Sequence, residues 1–163
     1  MTSQARKAES ESLRDFRHSL PMELLRAREA AMARFRPVLR EHGLTEQQWR
    51  VIRALADTKQ IDASELARRS FLLAPSLTRI LQFLEKEMLV KRTSDSSDQR
   101  RSVLTLTAKG RQLFERVGPD SEARYAEIEA EFGQDRLEAL YELLADFYTT
   151  LGRADNGRKT KET

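Results

Sequence analysis

Leu20, Leu24, Ala27, Ala31, Phe35 and Val38 recur at steps of three and four residues, a spacing that places them on one side of a helix. The pattern predicts a first helix from Leu20 to about Glu41, with Pro21 suited to its first turn and His42-Gly43 ending it. Pro37 falls inside this stretch, lacks an amide to donate, and is expected to bend the helix. Thr45-x-x-Gln48 is a capping box that opens a second helix carrying Trp49, Ile52 and Ala56. Asp62-x-x-Glu65 repeats that arrangement before Leu66 and Ala67, which predicts a short third helix to about Arg69. A fourth helix is expected from near Pro75. After Met88 the helical steps give way to Val90-Lys91-Arg92-Thr93, a polar run from Ser94 to Arg101, and the alternating Val103-Leu104-Thr105-Leu106. That sequence predicts a β-hairpin with a long tip. Thr107 caps a long helix with Leu113, Phe114, Val117, Tyr125 and Ile128, expected to bend at Gly118-Pro119. Leu137, Leu140, Tyr141, Leu144, Phe147, Tyr148 and Leu151 mark a last helix at heptad-like spacing. Residues 1–15 and 153–163 lack apolar periodicity and read as a disordered N-terminal arm and a disordered tail.

The fold class is therefore mainly α with a small β-hairpin, and 163 residues suffice for one compact domain. Zero cysteines exclude a disulfide framework, a thiolate metal site and a cysteine nucleophile, and two histidines, His18 and His42, are too few for most histidine metal sites. No apolar run of about 18 residues is present, and charged residues occupy the place of a signal peptide's apolar core. A soluble, cytoplasmic protein without a membrane partner is expected. The net charge of +3 matters less than its distribution. Ten Lys and Arg against six acids lie between Asp62 and Arg111, so the basic excess sits in the middle of the chain.

Two short helices, a turn, a further helix and a hairpin compose a winged helix-turn-helix pattern, whose second helix fits the major groove of DNA. At 100° per residue, Leu77, Ile80, Leu81, Leu84 and Met88 share one side of the fourth helix, and Thr78, Arg79, Gln82 and Lys86 lie opposite. Arginine reads guanine and glutamine reads adenine through paired hydrogen bonds, so Arg79 and Gln82 are candidate base contacts, with Ser76 at the helix start reaching phosphate. An ordinary solvated helix face would have a similar composition. The hairpin tip weighs against that reading: Asp98 precedes Arg100 and Arg101, and a carboxylate two residues away can orient a guanidinium toward a minor groove. No Gly-rich phosphate loop, HExxH or GxSxG motif is present, so no enzyme activity, catalytic residue, metal or cofactor is expected. A winged-helix adaptor that binds acidic proteins without specific DNA binding is the alternative.

Asp98-Gln99-Arg100, followed after five residues by Leu106-Thr107, resembles the DxRxxxxxLT wing signature of the MarR (multiple antibiotic resistance regulator) family. The stretch DASELARRSFLLAPSLTRILQFLEKEMLVKR looks like that family's DNA-binding lobe. The resemblance implies one domain over residues 16–152. It places the winged helix-turn-helix lobe at 45–106 and the dimerisation helices at 16–42 and 107–152. It further implies a homodimer whose recognition helices enter successive major grooves of operator DNA. Two positions depart from the family pattern. Ala74 stands where Ser or Asp commonly caps the recognition helix, a loss of about 1 kcal/mol, and Met88 stands where glycine usually allows a left-handed cap.

The first helix also carries an oddity. Arg28 falls within the stripe of Leu24, Ala31, Phe35 and Leu39, and a buried guanidinium needs an anion. That anion is either an acidic side chain of the same or a partner subunit, or the carboxylate of an effector. Trp49 reads as core or as a ligand wall, and Ser19 and His42 are further effector-binding candidates. The segment HSLPMELLRAREAAMARFRPVLREHGLTEQQWRVIRAL resembles the homoprotocatechuate-degradation regulators within the MarR family. This implies a repressor of an aromatic-acid catabolic operon, released by a small aromatic carboxylate of the hydroxyphenylacetate type, bound between the dimerisation helices and the DNA-binding lobe.

Overall fold

A computed structural model describes residues 15–94 and 102–159, with backbone alone for residue 17 and residues 153–159. A 3-10 turn, Phe16–His18, leads into α1 (Leu20–Glu41), followed by α2 (Glu46–Ala56), β1 (Ile61–Asp62), α3 (Ala63–Ser70), α4 (Ala74–Lys86), β2 (Val90–Ser94), β3 (Ser102–Leu106), α5 (Ala108–Phe132) and α6 (Gln134–Lys159). The chain divides into two compact units, the first ending at Ser121 and the second beginning at Glu122.

The elements form where the chain supplies their end groups. The Thr45 hydroxyl accepts from the Gln48 amide at 3.2 Å, and the Gln48 side chain accepts from the Thr45 amide at 2.9 Å, completing the predicted capping box. Asp62 makes only half of the second one. Its carboxylate accepts from the Glu65 amide at 2.8 Å, whereas the Glu65 carboxylate turns to Arg68 and Arg69. The C-cap of α3 is Phe71, in the left-handed region at φ 50°, which reverses the chain between the helices of the helix-turn-helix.

Within the first unit, Trp49, Val51, Ile52 and Leu55 of α2 pack with Leu66 of α3 and Leu77, Ile80, Leu81 and Leu84 of α4. Leu39 of α1, Leu104 of β3 and Leu113 and Val117 of α5 belong to the same core. Each such side chain contributes ~1.5–3 kcal/mol when fully buried. This core fixes which face of α4 turns outward.

The predicted hairpin is present, with Val90 opposite Leu106 and Ser94 opposite Ser102. It belongs to a three-stranded antiparallel sheet of order β1-β3-β2, because Ile61 and Asp62 pair with Leu104 and Val103. The third strand is unexpected from the sequence, since two residues are too few for an alternating pattern. The helix α5 runs through Gly118-Pro119 without interruption and ends at Gly133, whose φ of +96° suits glycine. The last helix continues past Gly152 to Lys159, into the stretch expected to be a disordered tail. Helix propagation adds one hydrogen bond per residue once the preceding turns exist, and that outweighs the polar composition there. Similarly, α1 continues through Pro37.

Candidate nucleic-acid interface

The candidate recognition face expected from the sequence lies on α4. Leu77, Ile80, Leu81 and Leu84 are buried, which turns Pro75, Thr78, Arg79, Gln82 and Lys86 toward solvent. Arg79, Gln82 and Lys86 make no side-chain hydrogen bond or ion pair with another described residue, so their donors and acceptors remain available. The Thr78 hydroxyl donates back to the Ala74 carbonyl at 2.9 Å, which occupies its proton. Ser76 is exposed on the first turn.

The ends of α4 refine two expectations. The helix begins at Ala74, one residue earlier than Pro75, and its N-cap is Leu73, which offers no side-chain cap. Met88 does adopt the left-handed conformation at φ 56° that the glycine of related sequences would favour. A brace not foreseen in the sequence holds this strained end. The Thr107 hydroxyl donates to the Met88 carbonyl at 2.6 Å and accepts from the Gly110 amide at 3.0 Å. Lys109 donates to the Glu87 carbonyl at 2.8 Å. Gly110 packs so closely on Leu89 that an added Cβ would overlap the Leu89 carbonyl. The end of the recognition helix is thereby fixed to the start of α5. The Leu106-Thr107 pair of the wing signature supplies that joint.

From the base of the wing, Arg92 of β2 reaches Glu85 of α4 at 3.2 Å and the Ser102 hydroxyl of β3 at 3.3 Å. Asp98, Arg100 and Arg101 at the tip lie outside the described residues. On α3, Glu65 binds Arg68 and Arg69 at 2.7 and 2.8 Å; the Arg68 hydrogen bond, then that of Arg69, pulls its carboxyl down to about 2.

The expected effector residues fall into separate environments. Trp49 is 7% exposed and stacks on Phe114 of α5, with ring centroids 5.6 Å apart, so it belongs to the core cluster. His42 bonds Asp120 through Nε2 at 2.8 Å. Ser19 is the N-cap residue of α1, without a side-chain cap bond. The Arg28 side chain is 44% exposed, not buried as the helical wheel suggested, and pairs with Glu29 at 2.8 Å and with Glu46. The stripe containing it runs from exposed Leu24 and Ala31 through half-buried Phe35 to buried Leu39, and Arg28 lies at its open end.

Glu46 is the hub of an ion network that the sequence did not disclose. It also accepts from Arg36 at 3.2 Å and Arg50 at 3.0 Å, and Arg50 in turn donates to the Ser70 carbonyl at the end of α3. Burial, and then the charge of Arg28, push the Arg50 guanidinium pKa downward, while hydrogen bonding and charge attraction from Glu29 raise that of Arg36. Three guanidinium groups face two carboxylates here, leaving a surplus positive charge where α1, α2 and the end of α3 meet.

The model of the MarR family matches residues 42–101. The homoprotocatechuate degradative operon repressor of Escherichia coli is 44% identical over 129 residues, covering 79% of this chain and 87% of that protein. Among solved structures, NadR in complex with 4-hydroxyphenylacetate is 43% identical with a TM-score of 0.72, covering 83% of this chain and 96% of that one. The transcriptional repressor CouR, bound to a 23-mer DNA duplex, is 27% identical with a TM-score of 0.75, covering 83% and 98%.

Proposed function

Because the chain belongs to the MarR family of DNA-binding transcriptional regulators, we propose that it acts as a homodimeric repressor of an aromatic-acid catabolic operon, released from operator DNA by an aromatic carboxylate. The observation that carries the DNA-binding part is the outer face of α4, with Arg79, Gln82 and Lys86 exposed and uncommitted along one line. The effector class rests on similarity: a relative at 44% identity is a homoprotocatechuate operon repressor, and a neighbour at 43% identity binds 4-hydroxyphenylacetate. No nucleophile, metal cluster or cofactor loop enters this account, and the family members it resembles are regulators rather than enzymes.

Two copies are proposed to join through the terminal helices. Leu140, Leu144, Phe147 and Leu151 of α6 are all exposed, as are Leu20, Leu24 and Leu25 of α1, and stripes of this kind call for a partner surface. The dimer would set two recognition helices about one DNA turn apart. Ser76, Thr78, Arg79, Gln82 and Lys86 would contact each half-site from α4, with Asp98, Arg100 and Arg101 contributing from the wing tip.

Arg28 is proposed to hold the effector carboxylate; Ser19, His42 and Trp49, which the fold places in separate environments, are kept as effector-site candidates on the sequence reading alone. Its guanidinium already faces two carboxylates and remains accessible, so an incoming carboxylate joins or replaces an existing ion pair rather than meeting a bare charge. Arg28→Met keeps the apolar stem and removes the charge. Isothermal calorimetry with 4-hydroxyphenylacetate should show binding to the parent and at least a tenfold loss in the variant, whose DNA binding persists. Equal affinity in both proteins would remove Arg28 from the site.

A further inference from the structure

Leu73, at 78% exposed, has the highest exposure of any large hydrophobic side chain among the described residues. It occupies the N-cap position of α4, with extended backbone at φ −70° and ψ 145° and no side-chain hydrogen bond to the helix. Ser, Thr, Asp or Asn at that position would satisfy a free amide of the first turn, so leucine here forgoes a cap and also exposes apolar surface. Neither the core nor the helix gains from it.

Pro75, two residues further on, is exposed as well. At 100° per residue it shares a stripe with Arg79, Gln82 and Lys86, following steps of four, three and four. The outward line of the recognition helix therefore begins with apolar surface and continues with polar and cationic groups. Residues near the start of a recognition helix approach base edges, and the C5-methyl of thymine is the apolar group that the major groove displays.

We propose that Leu73 and Pro75 form an apolar contact that reads a thymine methyl in each half-site, close to the base pair read by Arg79. The proposal depends on α4 lying in the major groove. Four residues of helix rise about 6 Å, and successive base pairs are about 3.4 Å apart. The thymine should accordingly lie within about two base pairs of the Arg79 contact.

Deoxyuridine removes that methyl and leaves the hydrogen-bonding edge unchanged. High-affinity duplexes are first selected from a random pool with the full chain, and each thymine is then replaced singly by deoxyuridine. Affinities are measured at constant salt for the parent, Leu73→Ser and Pro75→Ala. In the parent, one thymine per half-site should weaken binding roughly fourfold when replaced, the equivalent of one buried methyl-sized group. In at least one variant the same replacement should cost less than about twofold. Leu73→Ser should melt no lower than the parent because serine can cap α4, which separates lost contact from lost fold. A flat deoxyuridine scan with the parent would overturn the proposal, and is the result expected if the patch instead serves a second copy of the chain. Undiminished sensitivity in both variants would overturn it too. If no sequence is selected from the pool, the groove placement of α4 fails and the methyl contact fails with it.

Discussion

Arg79 and Gln82 project from a helix whose opposite side is locked into the core by Leu77, Ile80, Leu81 and Leu84, so their direction is set by packing rather than by partners of their own. In the proposed complex their side chains would reach the groove without first breaking an intramolecular bond, and a paired hydrogen bond to a base is worth ~1–3 kcal/mol of discrimination. Arg79→Ala and Gln82→Ala should each lose about that much on the selected site and little on unrelated DNA, as read by competition anisotropy. Unaltered sequence preference in both would place another face in the groove. At the other end of the helix, Met88 at φ 56° bears a left-handed conformation that costs a residue with a Cβ ~1–2 kcal/mol. Met88→Gly should raise unfolding stability by about 1 kcal/mol in denaturant titrations. An unchanged midpoint would contradict the strain assigned to Met88.

Among the elements, α3 makes a pH-dependent contribution through one carboxylate. The hydrogen bonds from Arg68 and Arg69 lower Glu65 from 4.5 to about 2 in the folded chain, so the ionised form is favoured by folding. That stabilisation is complete above the unfolded value of 4.5 and disappears as pH falls toward 2. The melting-temperature advantage of the parent over Glu65→Gln should be constant above about pH 5 and shrink steadily in more acidic buffer; an advantage independent of pH would contradict the ion-pair origin. Elements with strong periodicity or a cap were legible in the sequence: α2 through Thr45 and Gln48, α4 through its apolar face, and the hairpin through alternation. Others were not. The strand β1 is only two residues long, and Asp62 carries both a strand register and a helix cap, so its pairing with Val103 leaves no local signature. Arg28 is exposed where a helical wheel predicts burial, because Leu24 and Ala31 on its stripe are open within one chain and only Leu39 is buried. The Glu46 network joins residues from α1, α2 and the end of α3, and only the tertiary fold brings those together.

For the whole molecule, the proposed regulation couples DNA binding and effector binding through the arrangement of two copies. An aromatic acid releases DNA only if it binds more tightly to the arrangement in which the recognition helices no longer fit successive grooves. The exposed stripes on α1 and α6 supply the proposed interface, and the network from Arg28 through Glu46 and Arg50 to the Ser70 carbonyl supplies a physical connection toward the turn before α4. The most direct measurement is an anisotropy titration of the full chain on the selected duplex, with and without 4-hydroxyphenylacetate, in the presence of excess unrelated DNA. Tight binding is expected to two inverted half-sites centred ~34–36 Å apart, lost when half a helical turn is inserted between them and weakened by the aromatic acid. Equal binding to the selected and unrelated duplexes, unaffected by spacing or ligand, would contradict it.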